Sequence, residues 1–159
     1  MQVYQTLSRL GIDFVRADHA PAFTMEDCQA IEQALGCPVP KNLFLCNRQQ
    51  TDFYLVIMPA DKPFKTKDLS HQLGCSRLSF GPEEPLWEYL RIRPGAVSPL
   101  GLLHDGARRV RFLADRDLEA QEYLAFHPCR NTSTVRISLR NLLDRFLPDT
   151  GHEVTRITL

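Results

Sequence analysis

Lys41-Asn42-Leu43-Phe44-Leu45-Cys46 is the stretch whose reading decides the fold. Successive side chains of a strand point to opposite faces, so Leu43 and Leu45 share one face while Phe44 and Cys46 share the other. A strand apolar on both faces belongs inside a covered sheet rather than at a solvated edge. Pro38 and Pro40 force an extended approach to it, so Lys41 at its mouth is carried by a stiff frame. Most lysines only solubilise, but one anchored at the edge of a central sheet can hold an anionic or carbonyl oxygen at little cost in entropy.

Working outward, a polar turn over 47–52 leads to Phe53-Tyr54-Leu55-Val56-Ile57-Met58, a second strand apolar on both faces, ended by Pro59. The two predict a central antiparallel hairpin. Upstream, Val3, Leu7 and Leu10 form a helical stripe stopped by Gly11, and 12–17 alternates weakly as a strand. Thr24 with Asp27 three residues on predicts a capped helix over 25–35, closed by Gly36. Downstream, Thr66 is expected to cap a helix through Leu73. A short strand over 77–80 and a helix over 82–90 with Pro82 in its first turn follow. Strands are predicted at 110–114, 123–127, 133–139 and 153–158, with a late helix over 139–146. The expectation is a single α+β domain over 1–159, with a mixed, mainly antiparallel central sheet and helices packed on it.

The bulk numbers agree. With 159 residues, 43% hydrophobic and 24% charged, the chain can bury a core without metal or disulfide staples. Nineteen basic and nineteen acidic residues cancel, so net charge gives no argument for a nucleic-acid partner, and no DNA is expected. Local clusters remain at Lys62, Lys65 and Lys67 and at Arg108, Arg109 and Arg111, for which a solvated face is the plain reading. Five scattered cysteines and five scattered histidines form no C-x-x-C or H-E-x-x-H pattern, so no metal site and no disulfide framework is expected. Neither a leader nor a membrane span is visible, which points to the cytoplasm.

Three irregular points carry unusual residues: Lys41-Asn42, the Gly- and Pro-rich loop Gly95-Ala96-Val97-Ser98-Pro99-Leu100-Gly101-Leu102, and Phe126-His127-Pro128-Cys129-Arg130-Asn131-Thr132-Ser133-Thr134-Val135. Singly each is weak: His127 reads as a structural histidine and Asn131 as a turn former. In this order they resemble the editing domains related to the insertion domain of bacterial prolyl-tRNA synthetase, including the YbaK-type deacylases. His19-Ala20-Pro21-Ala22-Phe23-Thr24 resembles that family's early motif.

The resemblance implies a hydrolase without cofactor that cleaves the ester of a mischarged aminoacyl-tRNA. The pattern is most similar to the branch that removes alanine from proline tRNA. It implies that Lys41 and Asn42 hold the reacting end and that Gly95, Ser98 and Gly101 offer backbone groups to the ammonium and oxyanion. His127, Asn131, Thr134, Pro99 and Phe44 would then border the acyl pocket. Lys62, Lys65 and Lys67 are candidate contacts to tRNA phosphates. The implied partner is the acceptor end of mischarged proline tRNA, with prolyl-tRNA synthetase or an elongation factor as further partners or competitors. A cysteine-removing deacylase of the same fold and a binding module without turnover are the alternatives; reactivity of Cys46 and Cys129 stays open.

Overall fold

Two sheets share out the strands, and the Lys41 stretch is an interior strand of the larger one, second from its edge. The computed structural model describes residues 2–21 and 24–159, so Ala22 and Phe23 of the early motif lie outside the described residues. Five strands run in the order β4 (Leu78–Phe80), β2 (Lys41–Asn47), β3 (Phe53–Met58), β5 (Val110–Asp115) and β8 (Val154–Ile157). The predicted hairpin is present: Lys41 pairs with Met58 and Cys46 with Phe53, antiparallel. Its turn is built by Asn47, whose Oδ1 accepts the N–H groups of Thr51 (2.8 Å) and Asp52 (3.1 Å), a side chain standing in for a backbone turn. β5 and β8 add in parallel, each arriving by a crossover, as parallel pairing requires. A separate antiparallel sheet has the order β1 (Val15–Asp18), β7 (Ser133–Ser138), β6 (Tyr123–Phe126).

The alternation read from sequence settles the core. Phe44 and Cys46 enter the main cluster with Phe53, Leu55, Ile57 and Phe112, while Leu45 packs on the opposite face with Tyr54, Val56 and Leu113. Both faces of β2 are therefore covered.

Helices follow their local signals. α1 (Gln2–Arg9) buries Val3 and Leu7. α2 (Met25–Leu35) carries the predicted capping box between Thr24 and Asp27 and ends on Gly36 at φ 69°. For α3 (Thr66–Leu73) the expectation needs correction: Thr66 is already the first helical residue, and Lys65 sits at the cap without a side-chain bond. α4 (Glu83–Leu90) starts behind Pro82. The stretch expected to be irregular contains a 3-10 helix, Pro99–His104, started by a proline and capped by Ser98. The late helix is α5 (Leu139–Asn141), a π turn Leu142–Phe146 and α6 (Leu147–Thr150), where Leu147 N–H reaches back to Leu142 just ahead of Pro148. Among the described residues no helix is long and apolar enough to cross a membrane.

Candidate active site

The approach to β2 is pinned before the strand begins. Ala125 N–H donates to the Pro38 carbonyl at 3.0 Å, and Val39 N–H donates to Glu32 Oε1 at 2.9 Å. One bond therefore ties the Lys41 segment to β6, two residues before His127. Lys41 lies at most about 11 Å of extended chain from that junction. Its half-buried ammonium donates to the main-chain carbonyl of Lys62 and, among the described residues, pairs with no carboxylate. An ammonium has three donors, so two stay available to a ligand oxygen. Asn42 Nδ2 donates to the Pro40 carbonyl at 3.1 Å, while its Oδ1 is buried and accepts from no described residue. Leaving a buried acceptor of this kind without a donor costs about 1–3 kcal/mol, so Asn42 Oδ1 is open to a donor from outside the described residues.

Lys62, Lys65 and Lys67 part company. Lys62 Nζ lies 2.8 Å from Asp115 and 2.6 Å from Asp117, and the hydrogen bonds to Asp115 and then Asp117 raise its pKa. It is committed to these carboxylates, whereas Lys65 and Lys67 are exposed and unpaired among the described residues. The Lys62 backbone holds Lys41 while its side chain locks the loop to β5.

The 93–101 loop is more internally bonded than its composition suggests. Gly95 takes φ 90°, a region favouring glycine. Ala96 N–H donates to the Arg93 carbonyl (3.2 Å) and Gly101 N–H to the Ser98 carbonyl (3.1 Å). Fully buried Ser98 accepts from Leu100 N–H through Oγ at 3.1 Å. These three amides are spent inside the loop in this conformation, so an oxyanion here has to draw on other donors. Pro99 is buried at the start of the 3-10 helix. Gly101 is a packing position: a Cβ there would lie 2.5 Å from Ile92 Cδ1 and 3.1 Å from the Leu90 carbonyl. Phe44 is likewise a core residue, 4% exposed and stacked on Phe53 at 5.7 Å, and does not line a surface.

The third block closes the end of the small sheet. Buried Thr134 stands on β7 beside His127, whose Nδ1 is 2.8 Å from the Ser133 carbonyl. Burial lowers the His127 pKa; the bond to Ser133 opposes this and the nearby His19 reinforces it. His127 is therefore neutral at pH 7. Asn131 is half-buried in the turn after Cys129, a non-glycine residue at φ 64°. Burial pushes the Cys129 thiol up to about 12, so it is no nucleophile at neutral pH. Ala96, Val97, Phe126 and Cys129 all pack into the cluster that holds Phe44. The three blocks thus share one foundation.

Sequence reasoning passed over His19 as a site residue, although its early motif was noticed. His19 Nε2 is 2.7 Å from Thr134 Oγ1, and the His19 and His127 rings lie 6.0 Å apart. A large open cleft of about 970 Å³ lies elsewhere, between α3 and 158–159. It shares only Lys67 with the candidate residues. Among the described residues no group of three or more His, Cys, Asp or Glu could hold a metal.

Comparison with known proteins gives the same direction. A family model described as the aminoacyl-tRNA editing domain matches residues 19–144, from His19 through all three blocks. The prolyl-tRNA editing protein ProX of Acetoanaerobium sticklandii is 34% identical over 140 residues, covering 88% of this chain and 85% of that protein. Prolyl-tRNA synthetase associated domain-containing protein 1 of Danio rerio is 35% identical over 153 residues, covering 95% and 82%. A solved structure described as a proposed trans-editing enzyme for prolyl tRNA synthetase superposes with a TM-score of 0.72 over 99% of this chain and 95% of that one. At 18% identity that likeness speaks for the fold.

Proposed function

The chain belongs to the aminoacyl-tRNA editing domain family, and from that premise we propose that it is a trans-editing hydrolase that removes alanine from mischarged proline tRNA. Water attacks the aminoacyl ester, the carbonyl–ribose bond breaks, and free alanine and intact tRNA leave. A synthetase pocket made for proline cannot reject the smaller alanine strongly, since a missing methylene changes binding by only about 1–3 kcal/mol. A second, smaller pocket can reject proline by steric walls.

The observation that carries this reading lies at the mouth of β2: the Lys41 ammonium pairs with no carboxylate among the described residues, and at the next position the buried Asn42 Oδ1 accepts from none of them. Lys41 supplies positive charge to the ester or the terminal adenosine, and Asn42 Oδ1 accepts a ligand hydrogen. Neutral His127 with Asn131 and Thr134 borders the acyl group. No side-chain nucleophile is needed, because an aminoacyl ester is already reactive and positioning of water and ester supplies the acceleration. The substrate partner is the acceptor end of the charged tRNA, met in the cytoplasm after the synthetase releases it and in competition with an elongation factor.

The test is the deacylation rate of alanyl-, cysteinyl- and prolyl-tRNA(Pro) by the wild-type chain and by Lys41→Ala. Fast release of alanine alone, lost in the variant while its thermal unfolding is unchanged, is expected. Faster release of cysteine would reassign the acyl group, and no release from any ester would refute the hydrolase reading.

A further inference from the structure

A carbonyl oxygen can only accept, and that rule fixes the protons on two histidines. His127 Nδ1 faces the Ser133 carbonyl at 2.8 Å and Thr134 Oγ1 at 3.4 Å, so Nδ1 carries the hydrogen and Nε2 of the neutral ring holds the lone pair. His19 Nδ1 faces the Ala20 carbonyl at 2.8 Å and carries its hydrogen there. With a hydrogen on Nδ1 alone, its Nε2, 2.7 Å from Thr134 Oγ1, is the acceptor. The Thr134 hydroxyl hydrogen consequently points at His19, and its lone pairs are left for the hydrogen on His127.

The donors therefore run one way, from His127 through Thr134 to His19 and on to the Ala20 carbonyl. Thr134 is 1% exposed, so water does not compete for its hydroxyl. Asp18, the carboxylate next to His19 in the chain, stays out of the relay: its Oδ1 accepts from Arg16 (2.8 Å) and from Ser133 Oγ (2.7 Å), and Arg130 also acts on it. Among the described residues nothing bonds His127 Nε2.

We propose that His19 is a positioning residue: it turns the Thr134 hydroxyl so that its lone pairs join the Ser133 carbonyl in holding His127 in the Nδ1–H form, and so presents the His127 Nε2 lone pair to a donor hydrogen of the bound aminoacyl-adenosine end. The role in catalysis rests on the hydrolase reading above; the hold of one ring on the other does not. Flipping or retautomerising His127 would place a hydrogen where the substrate needs an acceptor.

The experiment reads both parts on the full chain. Imidazole nitrogen shifts of the ¹⁵N-labelled protein report which ring nitrogen is protonated, without substrate. Wild type should show hydrogen on Nδ1 of His19 and of His127. In H19F and T134V, with the Ser133 carbonyl left to hold Nδ1–H, a measurable fraction of the His127 ring should appear in the other form, while T134S, which keeps the hydroxyl, should keep the wild-type ring state. T134V is nearly isosteric, so it tests the relay even where H19F disturbs the fold. Single-turnover deacylation of alanyl-tRNA(Pro) should fall roughly ten- to a hundredfold in H19F and T134V at saturating enzyme, with the half-saturating concentration nearly unmoved. An unchanged His127 ring state in both variants overturns the proposal, as does an altered ring state with an unaltered rate. A wild-type chain inactive on every ester, with ring states shifting as expected, would refute the hydrolase reading and leave the coupling of the two rings supported.

Discussion

Replacing Gly101 by alanine separates a packing role from a chemical one. The added Cβ would lie 2.5 Å from Ile92 Cδ1, 3.1 Å from the Leu90 carbonyl and 3.2 Å from Leu90 Cβ. Ile92 and Leu90 are fully buried, and the carbonyl belongs to the last turn of α4 and cannot retreat. Overpacking of this kind costs about 1–3 kcal/mol, and the lower entropy of the unfolded chain returns about 0.4–1 kcal/mol. A net loss of about 1–2 kcal/mol is expected. Ile92→Val removes the atom in closest conflict and alone costs about 0.5–1.5 kcal/mol. In the double variant the worst overlap disappears, so its cost should fall short of the sum by about 1 kcal/mol, above the ~0.5 kcal/mol scatter of independent sites. Urea denaturation of the four proteins measures this directly. Strict additivity would refute the packing account, and a G101A protein of wild-type stability that no longer deacylates would return Gly101 to the chemistry.

The supports of the site give three further expectations. Lys62→Met leaves the fully buried Asp115 side chain without its cation and should cost about 2 kcal/mol in thermal or urea unfolding, partly restored by adding Asp115→Asn; a loss under about 0.5 kcal/mol would contradict the clamp. The pKa of Asp105 is lowered: burial pushes it up, but hydrogen bonds from His152, Val110 and Arg109 together outweigh that. A carboxyl lowered on folding stabilises above its unfolded value of about 4 and loses that contribution as pH falls through the folded one, so Asp105→Asn should flatten the acid limb of stability below about pH 4 and leave an unchanged limb only if the bonding is absent. Cys129, with its thiol held up at about 12, should resist iodoacetamide in the native protein at pH 7.5 and react on unfolding, as read by peptide mass spectrometry; rapid native labelling would place it in solvent.

What could be read from the sequence was local in origin. The double-faced runs of β2 and β3, the Thr24–Asp27 box and the αL glycines closing α2 and α3 each follow from residues within a turn or a pleat of one another. The splitting of the strands into two sheets was not readable, because β1 meets β7 from the far end of the chain, as in Val15 opposite Arg136. The same separation hid the partners at the site. Thr134 lies 115 positions from His19, and Asp115 lies 53 positions from Lys62. Residue type therefore singled out blocks while leaving each role ambiguous: a lysine grouped with phosphate contacts is tied to two carboxylates, and a loop glycine sits where a side chain would collide. Substituting Lys62, Lys65 and Lys67 together would consequently mix two effects, because removing Lys62 disturbs the loop whose carbonyl holds Lys41. Only Lys65→Ala with Lys67→Ala isolates the interaction with phosphate. Each lysine–phosphate pair removed should reduce the slope of log affinity against log salt by about 0.7–0.9, whereas Lys62→Met should lower turnover and leave that slope where it was.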